Sequence, residues 1–147
     1  MNASRGQRSA SITWRARIWL TALAIAGLAL LAAAWSLTPD ERGLGTHEQL
    51  GLAPCWIHAR FGVVCPSCGM TTAWAHAMRG QIGHAAACNA GGLLLWVVAT
   101  TATPWCLFVA ARGRWPWQRP SPRALLWCGT ALLLVTLADW FRRVLTT

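Results

Sequence analysis

Three long apolar runs dominate the chain. No charge occurs from Ile18 to Leu37 or from Gly80 to Ala111, whose most apolar part follows Gly91, and Ala124 to Phe141 is interrupted only by Asp139. Crossing a hydrocarbon core of roughly 30 Å takes about 20 helical residues. The pattern therefore predicts an all-α integral membrane protein with about three transmembrane helices, over residues 18–37, 88–111 and 124–141. A basic tail, residues 1–17, precedes a single membrane domain spanning 18–144. Residues 38–83 between the first two spans are polar and dotted with glycine. Within them Met70, Ala73, Trp74 and Ala77 fall at i, i+3, i+4, i+7, which predicts a short amphipathic helix lying on the membrane surface. Gly80 and Gly83 end that helix before the chain re-enters the bilayer. Thr38-Pro39 stops the first span, and Pro104 bends the second.

Composition agrees with this pattern: 55% of the residues are hydrophobic, 12% are charged, and the mean hydropathy is +0.39. The first apolar run exceeds the 7–15 residues of a signal-peptide core, so an uncleaved anchor is expected in preference to cleavage at Ala32-Ala33-Ala34. A net charge of +9 in a soluble protein would suggest nucleic acid. Here its distribution points to topology instead. Arg5, Arg8, Arg15 and Arg17 precede the first span, while Arg112, Arg114, Arg119 and Arg123 fill the connection between the second and third. By the positive-inside rule both groups are cytoplasmic, which puts 38–83 outside, and no nucleic-acid partner is expected. Arg142 and Arg143 then lie outside, outweighed by two groups of four. Eleven tryptophans and no tyrosine, with Trp14, Trp19, Trp35, Trp115, Trp117, Trp127 and Trp140 near span ends, read as interfacial anchors. The expected partners are the bilayer and either a second membrane protein or another copy of the chain.

Candidate chemistry lies in Cys65-Pro66-Ser67-Cys68-Gly69-Met70-Thr71, where two cysteines stand two residues apart just before the predicted surface helix. Such a pair can close a disulfide, hold a soft metal or present an activated thiolate. Cys55 and His58 add a second x2 pair, and two such pairs can each bite one edge of a tetrahedron. Cys55, His58, Cys65 and Cys68 are accordingly candidate ligands for zinc or copper, and Cys65 and Cys68 are candidate redox thiols. A plain Cys65–Cys68 or Cys55–Cys65 disulfide is the competing structural reading, since thiols outside the cytoplasm oxidise. Cys88, Cys106 and Cys128 are read as small apolar residues inside the second and third spans. Asn89, a few residues into the second span, is expected to bond another helix. Asp139 is expected to pair with Arg142 or Arg143 one turn on. No acid–base pair, phosphate loop or nucleophile triad is visible, so no enzymatic activity is assigned.

At these residues the chain resembles the bacterial membrane protein family known as domain of unknown function 2752. The family pattern is a cysteine about ten residues before Cys-Pro-x-Cys-Gly-Leu/Met-Thr-Arg-Ala, then a glycine, an Asn-Pro opening the next span, and a late Trp with Arg-Asn. Cys55, Gly62, Cys65, Pro66, Cys68, Gly69, Met70, Thr71, Ala73, Gly80 and Asn89 fit this pattern, and Trp140 with Arg143 fits the late element. Thr72, Ala90 and Val144 depart from it, standing in place of arginine, proline and asparagine. His58 is not part of it. The resemblance implies a multi-pass protein of the bacterial cytoplasmic membrane and no particular activity. Two functions follow from sequence: a non-catalytic assembly or partner-binding protein with a cysteine-stapled outer segment, or a membrane-surface thiol-redox or metal-binding protein using Cys65 and Cys68.

Reporter fusions at residues 60 and 118 test the topology. They should report opposite sides of the membrane, and a shared side would refute the assignment.

Overall fold

The computed structural model describes residues 11–116 and 120–146; Arg5, Arg8, Trp117, Arg119 and fusion position 118 lie outside them. Among the described residues the chain is helical, with one isolated bridge between Ser11 and Arg114. In chain order come α1 (Trp14–Ser36), a 3-10 turn (Thr46–Leu50), α2 (Trp56–Phe61), α3 (Met70–Met78), α4 (Ile82–Cys88), α5 (Ala90–Arg112) and α6 (Pro122–Thr146). Helices α1, α5 and α6 are long and apolar enough to cross a membrane.

Cross-links at the helix ends set the directions of the three. Near its start, α1 donates from Arg17 Nε to the Ala110 carbonyl near the end of α5 at 3.0 Å. The first N–H of α5, at Ala90, reaches the Asp139 carboxylate near the end of α6 at 3.2 Å. Thus α5 runs antiparallel to both neighbours. The end of α1, the start of α5 and the end of α6 share one end of the bundle, and residues 37–89 form a cap on it.

Small residues let the long helices approach. A Cβ on Gly27 of α1 would collide with Thr103 of α5, and one on Gly91 of α5 would collide with Thr136 of α6. Close backbone contact of this kind drives association where lipid removes the hydrophobic incentive. Leu23, Leu28, Leu30, Leu125, Leu126 and Leu134 are exposed, as side chains solvated by acyl chains would be.

The helix expected after the cysteine motif is α3, and it sits deeper than a helix laid on an open surface. Ala73, Ala75 and Ala77 are buried, and α3 packs against α1, α4 and α5. Alanine permits this because its side chain keeps neighbouring backbones close. Trp74 ties α3 to the first turn of α5 through Nε1 and the Gly92 carbonyl, 2.8 Å apart. Arg79 closes the far end, with Nη1 2.8 Å from the Ala75 carbonyl and Nη2 3.3 Å from that of Trp35. Cationic caps at helix C-termini satisfy carbonyls that have no intrahelical partner.

Two expectations change at the cap boundary. The stretch read as the start of the second span is a separate helix, α4, so Cys88 belongs to the cap rather than to a span. Asn89 is likewise not inside a span. Its backbone is extended, and its Oδ1 accepts from Gly92 N at 2.7 Å, capping α5 and interrupting the helical run. Tryptophans 14, 19, 35 and 127 are exposed near helix ends, as anchors would be. Trp140 instead turns inward, its Nε1 donating to the Val64 carbonyl at 2.7 Å.

Gly69, between the motif and α3, has φ of +80°, and an added Cβ would lie 2.7 Å from the Gly43 carbonyl oxygen and 2.8 Å from that of Cys88. Gly69→Ala should destabilise the cap by at least the ~1–2 kcal/mol of a left-handed L-residue, read as a lower melting temperature in detergent. An unchanged melting temperature would show that the cap can yield at this point.

Candidate functional site

The motif occupies a tight turn between α2 and α3. Gly62 ends α2 in the left-handed conformation, and the chain turns back so that the Cys68 N–H reaches the Cys65 carbonyl at 3.1 Å. This brings the two sulfurs to 2.7 Å and puts Cys65 Sγ 3.6 Å from Cys55 Sγ. All three sulfurs lie within 4.8 Å of one another. Cys65 and Cys68 are buried and Cys55 is half-buried, packed with Val64, Leu44, Trp140 and Val144. Three cysteines are therefore positioned to hold one metal ion.

His58, expected as a fourth ligand, is not within that distance of all three sulfurs. It lines a cavity of about 140 Å³ together with Cys55, Cys68, His47, Glu48 and Arg42. Pro66 and Gly69 shape the turn. Thr71 lines a different groove, with Leu30, Leu37, Met70 and Trp74.

Polar groups from two distant helices grip the turn. Asn89 Nδ2 donates to both the Pro66 and Cys68 carbonyls at 3.0 Å. Arg143 grips the same two oxygens, Nη1 to Cys68 O at 2.9 Å and Nη2 to Pro66 O at 3.2 Å, and its Nε reaches Asp139 Oδ2 at 3.0 Å. Asp139 is buried, and it also binds Arg142 at 2.7 Å and the Ala90 N–H. The expected local pairs are thus both present, and the second extends to the cysteine turn. Arg142 is half-exposed and contributes little. Arg143 is nearly buried, and its fork geometry suits two acceptors at once. Two guanidiniums against one carboxylate leave one excess positive charge in this group.

The two motif thiols titrate in opposite directions. Burial pushes Cys65 up, but hydrogen bonds to its sulfur from Cys68, Ser67 and Cys55 outweigh burial and hold it below the ordinary thiol value. Burial, followed by its hydrogen bond to Cys65, pushes Cys68 well above that value. Cys65 is thus the first thiolate to form. The Ser67 hydroxyl, 3.3 Å from Cys65 Sγ, was not singled out by sequence, although it lies inside the motif.

Residues 55–103 match the family described as "Protein of unknown function (DUF2752)", in agreement with the resemblance carried by the motif. No curated protein and no solved structure matches the chain. Trp140 and Arg143 lie beyond the matched stretch, yet they complete the site.

The departures from the family pattern have local explanations. Thr72 is buried, with its hydroxyl 2.8 Å from that of Thr46, which in turn accepts from the Asp40 N–H. Ala90 provides the N–H that reaches Asp139, which proline would lack. Val144 packs on the cysteine cluster.

Asn89→Asp keeps the acceptor that caps α5 but removes both donors to the turn. Arg143 still reaches both carbonyls, but a carboxylate in place of the amide repels them, and losing a hydrogen bond in such a charged, buried setting costs about 1–3 kcal/mol. Maleimide labelling of Cys65 and Cys68 in reduced protein should accelerate about tenfold or more, since 1.4 kcal/mol is a factor of ten. Wild-type labelling rates would mean that Asn89 does not hold the turn closed.

Proposed function

We propose that this chain is a membrane-anchored metal-binding protein whose Cys55, Cys65 and Cys68 hold one thiophilic ion, zinc or copper(I), at the extracytoplasmic face of the bacterial cytoplasmic membrane. The observation that carries this reading is the approach of three sulfurs from two separate segments to within 4.8 Å. A disulfide uses only two cysteines, whereas three convergent thiolates form most of a tetrahedral zinc site or a complete trigonal copper(I) site. Arg143 supports the cluster through the backbone, holding the Pro66 and Cys68 carbonyls of the turn that carries two of its sulfurs. The proposed orientation is supported by Arg15, Arg17, Arg112 and Arg114 at the opposite end of the bundle, and a bacterial membrane by the resemblance the motif carries.

In this reading the ion closes the loop between Cys55 and Cys68 and staples the cap, so the protein's role is metal holding and assembly rather than catalysis. Metal must displace the proton that Cys68 retains, so binding releases protons and strengthens as pH rises. A second reading, thiol–disulfide exchange, draws on one specific observation. A lowered Cys65 beside a raised Cys68 is the asymmetry of an attacking and a resolving thiol.

Protein purified in mild detergent should carry about one equivalent of zinc or copper by mass spectrometry, lost in Cys55→Ser, Cys65→Ser and Cys68→Ser. Metal-free protein containing a disulfide that mild reductant opens would favour exchange and overturn the metal reading.

A further inference from the structure

We infer that His58 is the fourth donor of the site and makes it selective for zinc over copper(I); this rests on the three-cysteine reading above. Cys55 and His58 lie three residues apart, Cys55 at the N-terminal boundary of α2 and His58 within it, so both project to the same side. His58 Nδ1 is buried without a hydrogen-bond partner, the one such side-chain atom among the described residues. Buried ring nitrogens in native proteins are normally satisfied, so an orphan beside a thiol cluster needs a partner to account for it.

The other polar groups lining the cavity are engaged. His47 Nε2 is 3.3 Å from the Ala53 carbonyl, and Arg42 bridges Asp40 at 2.8 Å and Glu48 at 3.5 Å. The cavity of roughly 140 Å³ lined by His58, Cys55 and Cys68 exceeds the volume one water needs, which is room enough for an ion. His58 lies outside the 4.8 Å sulfur group, and in the proposed site its side chain turns so that the imidazole reaches an ion seated on the three thiolates.

The chemistry then discriminates between metals. Zinc prefers four donors in a tetrahedron, and three thiolates with one neutral imidazole supply them. Copper(I) is satisfied by soft thiolates alone and gains little from a nitrogen. Removing His58 should therefore weaken zinc and spare copper(I).

The test compares wild type, His58→Ala, His58→Cys and Cys65→Ser as full-length protein in detergent, titrated separately with zinc and copper(I) against competing chelators. X-ray absorption at the zinc edge is recorded in parallel. Wild type should show three sulfurs at about 2.3 Å and one nitrogen at about 2.0 Å. His58→Ala should bind zinc at least about tenfold more weakly, the lower end of what even the hydrogen-bond partners of metal ligands are worth, with copper(I) affinity unchanged. His58→Cys should recover zinc, which separates a lost donor from a misfolded cap. Zinc binding that is undiminished in His58→Ala but lost in Cys65→Ser would overturn the role of His58 and leave the three-cysteine reading standing. Absence of metal from wild type would overturn both.

Discussion

The cap depends on how two carbonyl oxygens, those of Pro66 and Cys68, are satisfied. A turn tight enough to bring two cysteine sulfurs together aims its carbonyls inward, away from water, where an unpartnered acceptor is costly. Asn89 and Arg143 answer both, each reaching both oxygens. Because Asn89 opens α5 and Arg143 lies near the end of α6, satisfying the turn also fixes how two long helices meet the cap. Asp139 joins the arrangement from below, holding Arg143 and the first N–H of α5 at once.

This interaction explains why so apolar a chain retains a carboxylate near the end of an otherwise uncharged helix. A buried carboxylate is tolerated when its charge is paired and its oxygens are bonded, and Asp139 meets both conditions. Its pairing is local, i to i+3 and i+4, but the consequence is not. Arg143 is oriented by Asp139 toward a turn 75 residues earlier in the chain. The same economy governs Thr46 and Thr72, whose hydroxyls meet in the cap interior, and Trp140, whose indole N–H reaches the motif's leading edge.

The sulfur cluster gains its character from this rigidity. Held by its carbonyls, the turn keeps Cys65 between Cys55 and Cys68, so its sulfur has three hydrogen-bonding neighbours and the thiolate forms there first. A looser turn would leave three ordinary thiols.

Much of this was legible in the order of residues. Apolar runs of bilayer length announce α1, α5 and α6 because lipid demands continuous helix with few charges. The Cys-x2-Cys spacing announces the site because two residues are what a tight turn needs between two sulfurs. The approach of Cys55 followed from its place in the same segment, and the Asp139 pairing from helical spacing. What sequence could not supply was any relation between segments far apart. Asn89 was read as a residue packing against another helix, and the turn it holds lies 21 and 23 residues away. Cys88 was read into a span because nothing local shows that Asn89 breaks the helix to bond the motif. The burial of α3 among alanines and the cavity in front of His58 depend on which backbones can approach closely, which side-chain volume and helix direction together decide. Periodicity, spacing and charge are local properties of a chain and survive in its sequence; the satisfaction of a buried carbonyl by a distant side chain exists only once the chain has folded.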